Sequence, residues 1–139
     1  NIIESLYIQE PEFVEPDYGK AIRYLSLKNK KRSLVVLFTD LIDVEVSKAI
    51  VHYTRHLYPT HLPMCVSMID PELYNEAEQV PDGKVALYRK AVAEDLIAQR
   101  EQVKSVLNKG GVLTLDAMPN RLTPALISRY LSIKARNQL

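Results

Sequence analysis

The sequence predicts an α/β fold built on a parallel sheet, and two observations carry it. Short apolar runs alternate with helix-period segments along the chain: helix, strand, helix, strand, helix, strand, helix. The runs at residues 33–39, 62–69 and 112–115 are continuous rather than alternating. That is the pattern of parallel strands covered on both faces. Right-handed crossovers between such strands put helices on both sides of the sheet.

Each element has a local reason. Residues 2–8 place Ile2 or Ile3 and Leu6 at helical spacing and read as the end of a helix begun upstream. Pro11 and Pro16 make residues 9–16 a loop. Asp17 is placed to cap the next helix, whose face is Ala21, Ile22 and Leu25 and which runs to about Lys28. Lys28, Lys30, Lys31 and Arg32 follow, where cations complement the helix dipole. The strand at Ser33–Thr39 is rich in β-branched and aromatic residues. Asp43 is placed as the cap of a helix carrying Val46, Ala49, Ile50, Tyr53 and Leu57, stopped by Pro59.

The second strand spans Leu62 to Ile69, with Pro63 weakening its start, and Asp70-Pro71 ends it. Residues 71–83 are polar and carry turn signals at Pro81 and Asp82-Gly83. The longest helix runs from Lys84 to Lys109, with Val85, Tyr88, Val92, Leu96, Val103 and Val106 close to one stripe. At about 1.5 Å per residue it is roughly 39 Å long, more than a short strand can cover, so one end is expected to overhang or start later. Asn108, Gly110 and Gly111 stop it. Val112 to Leu115 is the third strand, ended by Asp116. The last helix opens at Leu122-Thr123-Pro124, with Thr123 as cap, Pro124 in the first helical position, and Leu122 stapled to Ile127. Ile127, Tyr130 and Leu131 form its apolar face.

Composition narrows the function classes. The 139 residues are the size of one domain. They are 47% hydrophobic and 25% charged, which offsets chain entropy and argues against disorder. A net charge of +1 lacks the basic excess of a nucleic-acid binder. Cys65 stands alone, so no internal disulfide forms. No apolar run has the length of a membrane span.

Chemistry is expected at the carboxyl ends of the strands, where open α/β sheets hold ligands. All three predicted strands end in aspartate: Asp40, Asp70 and Asp116. On one sheet edge the three carboxylates can hold a hard cation such as Mg²⁺. Aspartate is also an ordinary capping and turn residue at such positions. His52 and His56 are four apart on a helix and His61 follows, but Tyr53 stands where a zinc peptidase carries its glutamate. A solvated helix face is the simpler explanation. Cys65, mid-strand, reads as a small buried hydrophobe. Gly110-Gly111 precedes a strand, where a phosphate-binding loop follows one.

At Ser33-Leu-Val-Val-Leu-Phe-Thr-Asp-Leu-Ile-Asp43, preceded by Arg32, the chain resembles the second half of the von Willebrand factor A-like domain of the "domain of unknown function 58" family. The likeness continues through Glu15-Pro16-Asp17-Tyr18, Asp70-Pro71, Ala86-Leu87-Tyr88-Arg89-Lys90-Ala91-Val92-Ala93-Glu94, Arg121-Leu122-Thr123-Pro124-Ala125-Leu126, Tyr130-Leu131 and Lys134-Ala135-Arg136. It implies a Rossmann-like three-layer sandwich, of which residues 1–139 are a single partial domain with its first strands upstream. Such domains hold Mg²⁺ in a metal-ion-dependent adhesion site begun by Asp-x-Ser-x-Ser and completed by a Thr and an Asp. By that resemblance Asp40 matches the last element, the Thr position falls near Pro16, and the opening motif is absent from this sequence.

The resemblance further implies a non-enzymatic protein-interaction module, cytoplasmic, working with a MoxR-type AAA+ ATPase in assembly or maturation of other proteins. No cofactor is expected within these residues, and Mg²⁺ belongs to the longer protein. An enzyme of the phosphoryl-transfer or receiver type, using Asp40, Asp70 and Asp116, is the alternative. The strand Ser33–Thr39 is expected to form an exposed apolar edge that pairs with a second copy, as a homodimer, or is covered by the N-terminal helix.

Overall fold

The computed structural model describes Tyr7, residues 17–40 and residues 44–139. The readings of residues 2–6 and 8–16 and of the Asp43 cap lie outside the described residues. The chain forms an α/β fold around a three-stranded parallel sheet in the order β1-β2-β3. The strands are β1 (Leu34–Phe38), β2 (Leu62–Met68) and β3 (Leu113–Ala117), with β2 in the centre. The helices are α1 (Tyr18–Lys28), α2 (Val44–Thr54), α3 (Pro71–Glu78), α4 (Lys84–Lys109) and α5 (Leu122–Ala135).

Side chains alternate along a strand, so the register assigns each residue a face. Val36 stands beside Met64 and Met64 beside Leu113. Leu37 stands beside Cys65, and Ser67 beside Asp116. One face therefore carries Val35, Leu37, Cys65, Ser67 and Asp116. The other carries Leu34, Val36, Phe38, Met64, Val66, Leu113 and Leu115.

On the first face Ile50 and Val51 of α2 and Val103 and Leu107 of α4 pack with Cys65 and Val112. Beside them Ile22 of α1 packs with Val35 and Leu57. This is the α4 face. The opposite face meets α5, whose Leu126, Ile127 and Tyr130 flank Leu34 and Val36 of β1 across a groove of about 660 Å³. Met64 and Val66, central on this α5 face, are fully buried.

Several expected boundaries hold for physical reasons. Asp17 caps α1, its carboxylate accepting from the Lys20 amide at 2.8 Å. The long helix spans Lys84–Lys109 as expected. It ends in a Schellman arrangement: the Val112 amide donates to the Leu107 carbonyl and the Gly111 amide to that of Asn108. Gly111 sits at φ 84, the left-handed conformation this turn requires. The overhang is real, since Val85, Leu87 and Tyr88 stay exposed.

Four readings are corrected. Residues 71–83 are not wholly loop, because Pro71–Glu78 form α3. Its Asp70 cap accepts from the Glu72 amide at 2.9 Å, and Pro71 occupies the first turn. No residue of α3 is fully buried, and Leu73, Tyr74 and Ala77 are half-buried. Asp116 does not end β3 but lies within it. Thr123 does not cap α5: a short 3₁₀ turn, Pro119–Arg121, runs directly into the helix, leaving Thr123 and Pro124 in its first turn. Finally, β1 is not covered on both faces. Val35 is buried on the α4 face, while Phe38 is 64% exposed.

Candidate functional site

The three aspartates meet different fates. Asp40 lies two residues beyond the end of β1 and is exposed. Asp70 is exposed and occupied with capping α3. Asp116 is held inside the protein, its side chain 12% exposed. Because it faces α4 from within β3, its carboxylate meets cations rather than other acids.

The polar network around Asp116 is the densest among the described residues. Ser67, its neighbour in register, donates its hydroxyl to Oδ1 at 2.9 Å. The Arg100 guanidinium donates to Ser67 Oγ at 2.7 Å and to the Met68 carbonyl at 3.3 Å. It lies 3.7 Å from Asp116 Oδ1. Lys104, one turn on, donates to Asp116 Oδ2 at 3.1 Å and to Glu101. Burial works against the Lys104 charge, but its hydrogen bonds to Glu101 and Asp116 outweigh that and hold its pKa above the ordinary value. Arg100 Nε is buried without a partner among the described residues.

Chemically this network is closed. Ser67 is 2% exposed, and its proton already points at a carboxylate flanked by two cations. No substrate reaches the hydroxyl, so its role is to join β2, β3 and α4. Sequence reading missed Arg100, Lys104 and Ser67. The available signal was spacing: Ala93, Arg100, Val103 and Leu107 are the buried positions of α4, a stripe interrupted by one charge. A charge amid buried apolar neighbours demands a partner.

The other candidates are not gathered into a site. His52 and His56 have ring centroids 6.1 Å apart, and both are exposed. They flank a cleft of about 510 Å³ that also receives Arg23, Ser26 and Tyr53, a lining without carboxylates. His61 is separate and buried, its Nδ1 unpartnered among the described residues. Cys65 is buried, and burial pushes its thiol up to about 11, so it stays protonated and inert near neutral pH.

Among the described residues no group of three or more His, Cys, Asp or Glu side chains is placed to hold a metal ion. Mg²⁺ demands near-octahedral oxygen ligation, and Asp40 offers one exposed carboxylate. The described residues therefore do not by themselves fit the Mg²⁺ site that the family resemblance implies. Also among the described residues, no helix is long and apolar enough to cross a membrane. No family model, curated protein or solved structure matches this chain.

Among the described residues the outer side of β1 carries no paired strand. Below it lies the groove between Leu34 and Val36 on the sheet and Leu126, Ile127 and Tyr130 on α5. Arg32 also lines it, its Nε and Nη2 donating to the Gln138 carbonyl at 3.2 and 3.1 Å. Among the described residues this side of β1 offers apolar area and strand amides that no described strand takes up.

Proposed function

We propose that this chain is a non-enzymatic protein-interaction module, the C-terminal part of a von Willebrand factor A-like domain. In this reading it works on the cytoplasmic side with a MoxR-type AAA+ ATPase in assembly or maturation of other proteins. One observation carries the interaction role: among the described residues an apolar groove lies open beside β1, while the Ser67 hydroxyl and the Asp116 carboxylate are engaged inside the buried network. The ATPase partner rests on the family resemblance. An enzyme using Asp40, Asp70 and Asp116 together has less support, because Asp116 is turned inward onto Arg100 and Lys104.

Surface-immobilised chain, exposed to a MoxR-type ATPase with Mg²⁺ and ATP, tests this reading. Capture is expected, weakened at least tenfold by Asp40→Ala and unchanged by Asp70→Ala. Absence of capture would count against the partner. Phosphatase or phosphoacceptor activity lost in Asp40→Ala would establish the enzyme instead.

A further inference from the structure

Helices of a parallel α/β fold run against the strands, so their carboxyl ends gather where the strands begin. The Leu62 amide donates to the Ser33 carbonyl at 2.9 Å, which sets the entries of β1 and β2 side by side. Arg32 bonds the Gln138 carbonyl, which brings the segment after α5 to the same end. Charge is sorted along this axis. Residues 22–34, 51–63, 102–115 and 127–139 hold the closing turns of α1, α2, α4 and α5 with the residues that follow them. They carry eleven of the 18 Lys and Arg and none of the 17 Asp and Glu. Lys28, Lys30, Lys31 and Arg32 are exposed beside β1, and so are Arg55 after α2 and Lys109 at the end of α4. Lys134 and Arg136 are exposed at the end of α5. None of these cations is paired with a carboxylate among the described residues. Where the strands end the sign reverses, with Asp40, Asp70 and Glu72 exposed. Helix dipoles favour cations at carboxyl ends, but that effect fades within one turn. It does not account for Lys30 and Lys31, which lie beyond α1, or for four separate segments without a carboxylate.

We infer that this basic end of the molecule docks on an anionic lipid surface. Two features select lipid over another polyanion. The cations come from both sides of the sheet, from α1, α2 and α4 on one and α5 on the other, so they span the whole end of the fold. A negatively charged plane meets them all at once, and the carboxylates at the far end orient the molecule with its strand entries toward that plane. The second feature is apolar. Leu27, in the last turn of α1, is 67% exposed, Tyr58 after α2 is 71% exposed, and Tyr24, one turn before Leu27, is 64% exposed. Lys28 lies over the Tyr24 ring, 5.9 Å from its centroid. Tyrosines favour the headgroup level, a leucine beside them enters the acyl boundary, and lysine stems lie along apolar surface with the charge in water. A nucleic acid would engage the tyrosines and the cations but gives Leu27 no partner. The inference goes beyond the ATPase reading and does not depend on it, since Asp40 lies at the opposite end of β1.

Co-sedimentation of the 139-residue chain with phosphatidylcholine vesicles, with and without phosphatidylserine, tests the inference. Binding is expected only to the vesicles that contain phosphatidylserine, and it is expected to fall as salt is raised. Two double reversals, Lys30→Glu with Lys31→Glu and Lys109→Glu with Lys134→Glu, take cations from the same end through different segments. Each is expected to weaken binding about tenfold or more. Lys84→Glu with Arg121→Glu makes the same change in net charge at the other end, where both residues are exposed. That pair is expected to leave binding within about twofold. Absence of binding to the phosphatidylserine vesicles overturns the inference. So does equal binding to both kinds of vesicle, or an equal loss from all three reversals. A DNA duplex that strips the chain from the vesicles at matched phosphate concentration assigns this end to nucleic acid and overturns the lipid reading. Circular dichroism checks the fold of each variant, and if one basic pair unfolds the other decides by itself.

Discussion

The two faces of the sheet are finished in different ways. The α4 face receives α1, α2 and α4, and its floor is buried from Val35 across Cys65 to Ser67. It also carries the closed network of Arg100, Ser67, Asp116 and Lys104. The α5 face receives α5 among the described residues, which seals Met64 and Val66 but leaves β1 beside an open groove. The difference follows from connectivity. Right-handed crossovers were expected to put helices on both sides, but with the strand order β1-β2-β3 the crossovers through α2 and α4 both return over the same face, so that face is filled by the chain path. The other depends on elements outside those crossovers, and α5 supplies one. Stability is therefore expected to concentrate on the α4 face and interaction on the β1 side of the α5 face.

Breaking the buried network should give the largest effect. Asp116→Ala leaves Arg100 buried without its carboxylate and is expected to cost about 3–5 kcal/mol in urea unfolding. Replacing both groups, Arg100→Met with Asp116→Leu, removes the uncompensated charge and is expected to recover most of that loss. A small cost for Asp116→Ala would show that the network is not what holds α4 to β2 and β3.

Truncation on the two faces sharpens the contrast at an intermediate scale. Leu107→Ala empties a fully buried site on the α4 face and is expected to cost about 2–5 kcal/mol. Ile127→Ala, on the half-exposed wall of the groove, is expected to cost less than about 1 kcal/mol in the monomer. Denaturant midpoints at fixed protein concentration compare the two. Equal losses would erase the distinction between a filled face and an open one.

The last effect, absent at neutral pH, is a pH dependence from a group on the α4 face. Cys65 loses its proton near its ordinary 9.0 in the unfolded chain but holds it to about 11 when buried. Between those values the unfolded state binds fewer protons, so stability falls as pH rises, with no contribution below pH 9. Urea midpoints of the wild type and Cys65→Ala, followed from pH 8 to 11, isolate this slope. The variant is expected to decline less steeply over that interval.

Much of the architecture was legible in residue order. Continuous apolar runs marked all three strands, the Asp17 cap marked the start of α1, and turn and stop signals marked both ends of α4, because those signals act within a few residues. The site was harder to read. Asp116 looked like a strand-ending aspartate equivalent to Asp40 and Asp70, since sequence position does not show whether a strand stops or continues past a carboxylate. Arg100 was missed, because the stripe chosen for the long helix was drawn through apolar residues alone. α3 was hidden because its apolar positions, Leu73, Tyr74 and Ala77, fill only one turn and stand among charged residues that read as a polar connection.

The sequence by itself determined the α/β alternation, the buried character of β2 and the overhang of α4, each set by local propensity and apolar spacing. Only the tertiary structure decided that Asp116 turns onto Arg100 and Lys104, that Arg32 donates to the Gln138 carbonyl, and that α2 and α4 share one face of the sheet. Those outcomes depend on strand register and helix placement. Both are fixed by contacts between residues tens of positions apart, where burial, not local pattern, chooses among the arrangements the chain allows.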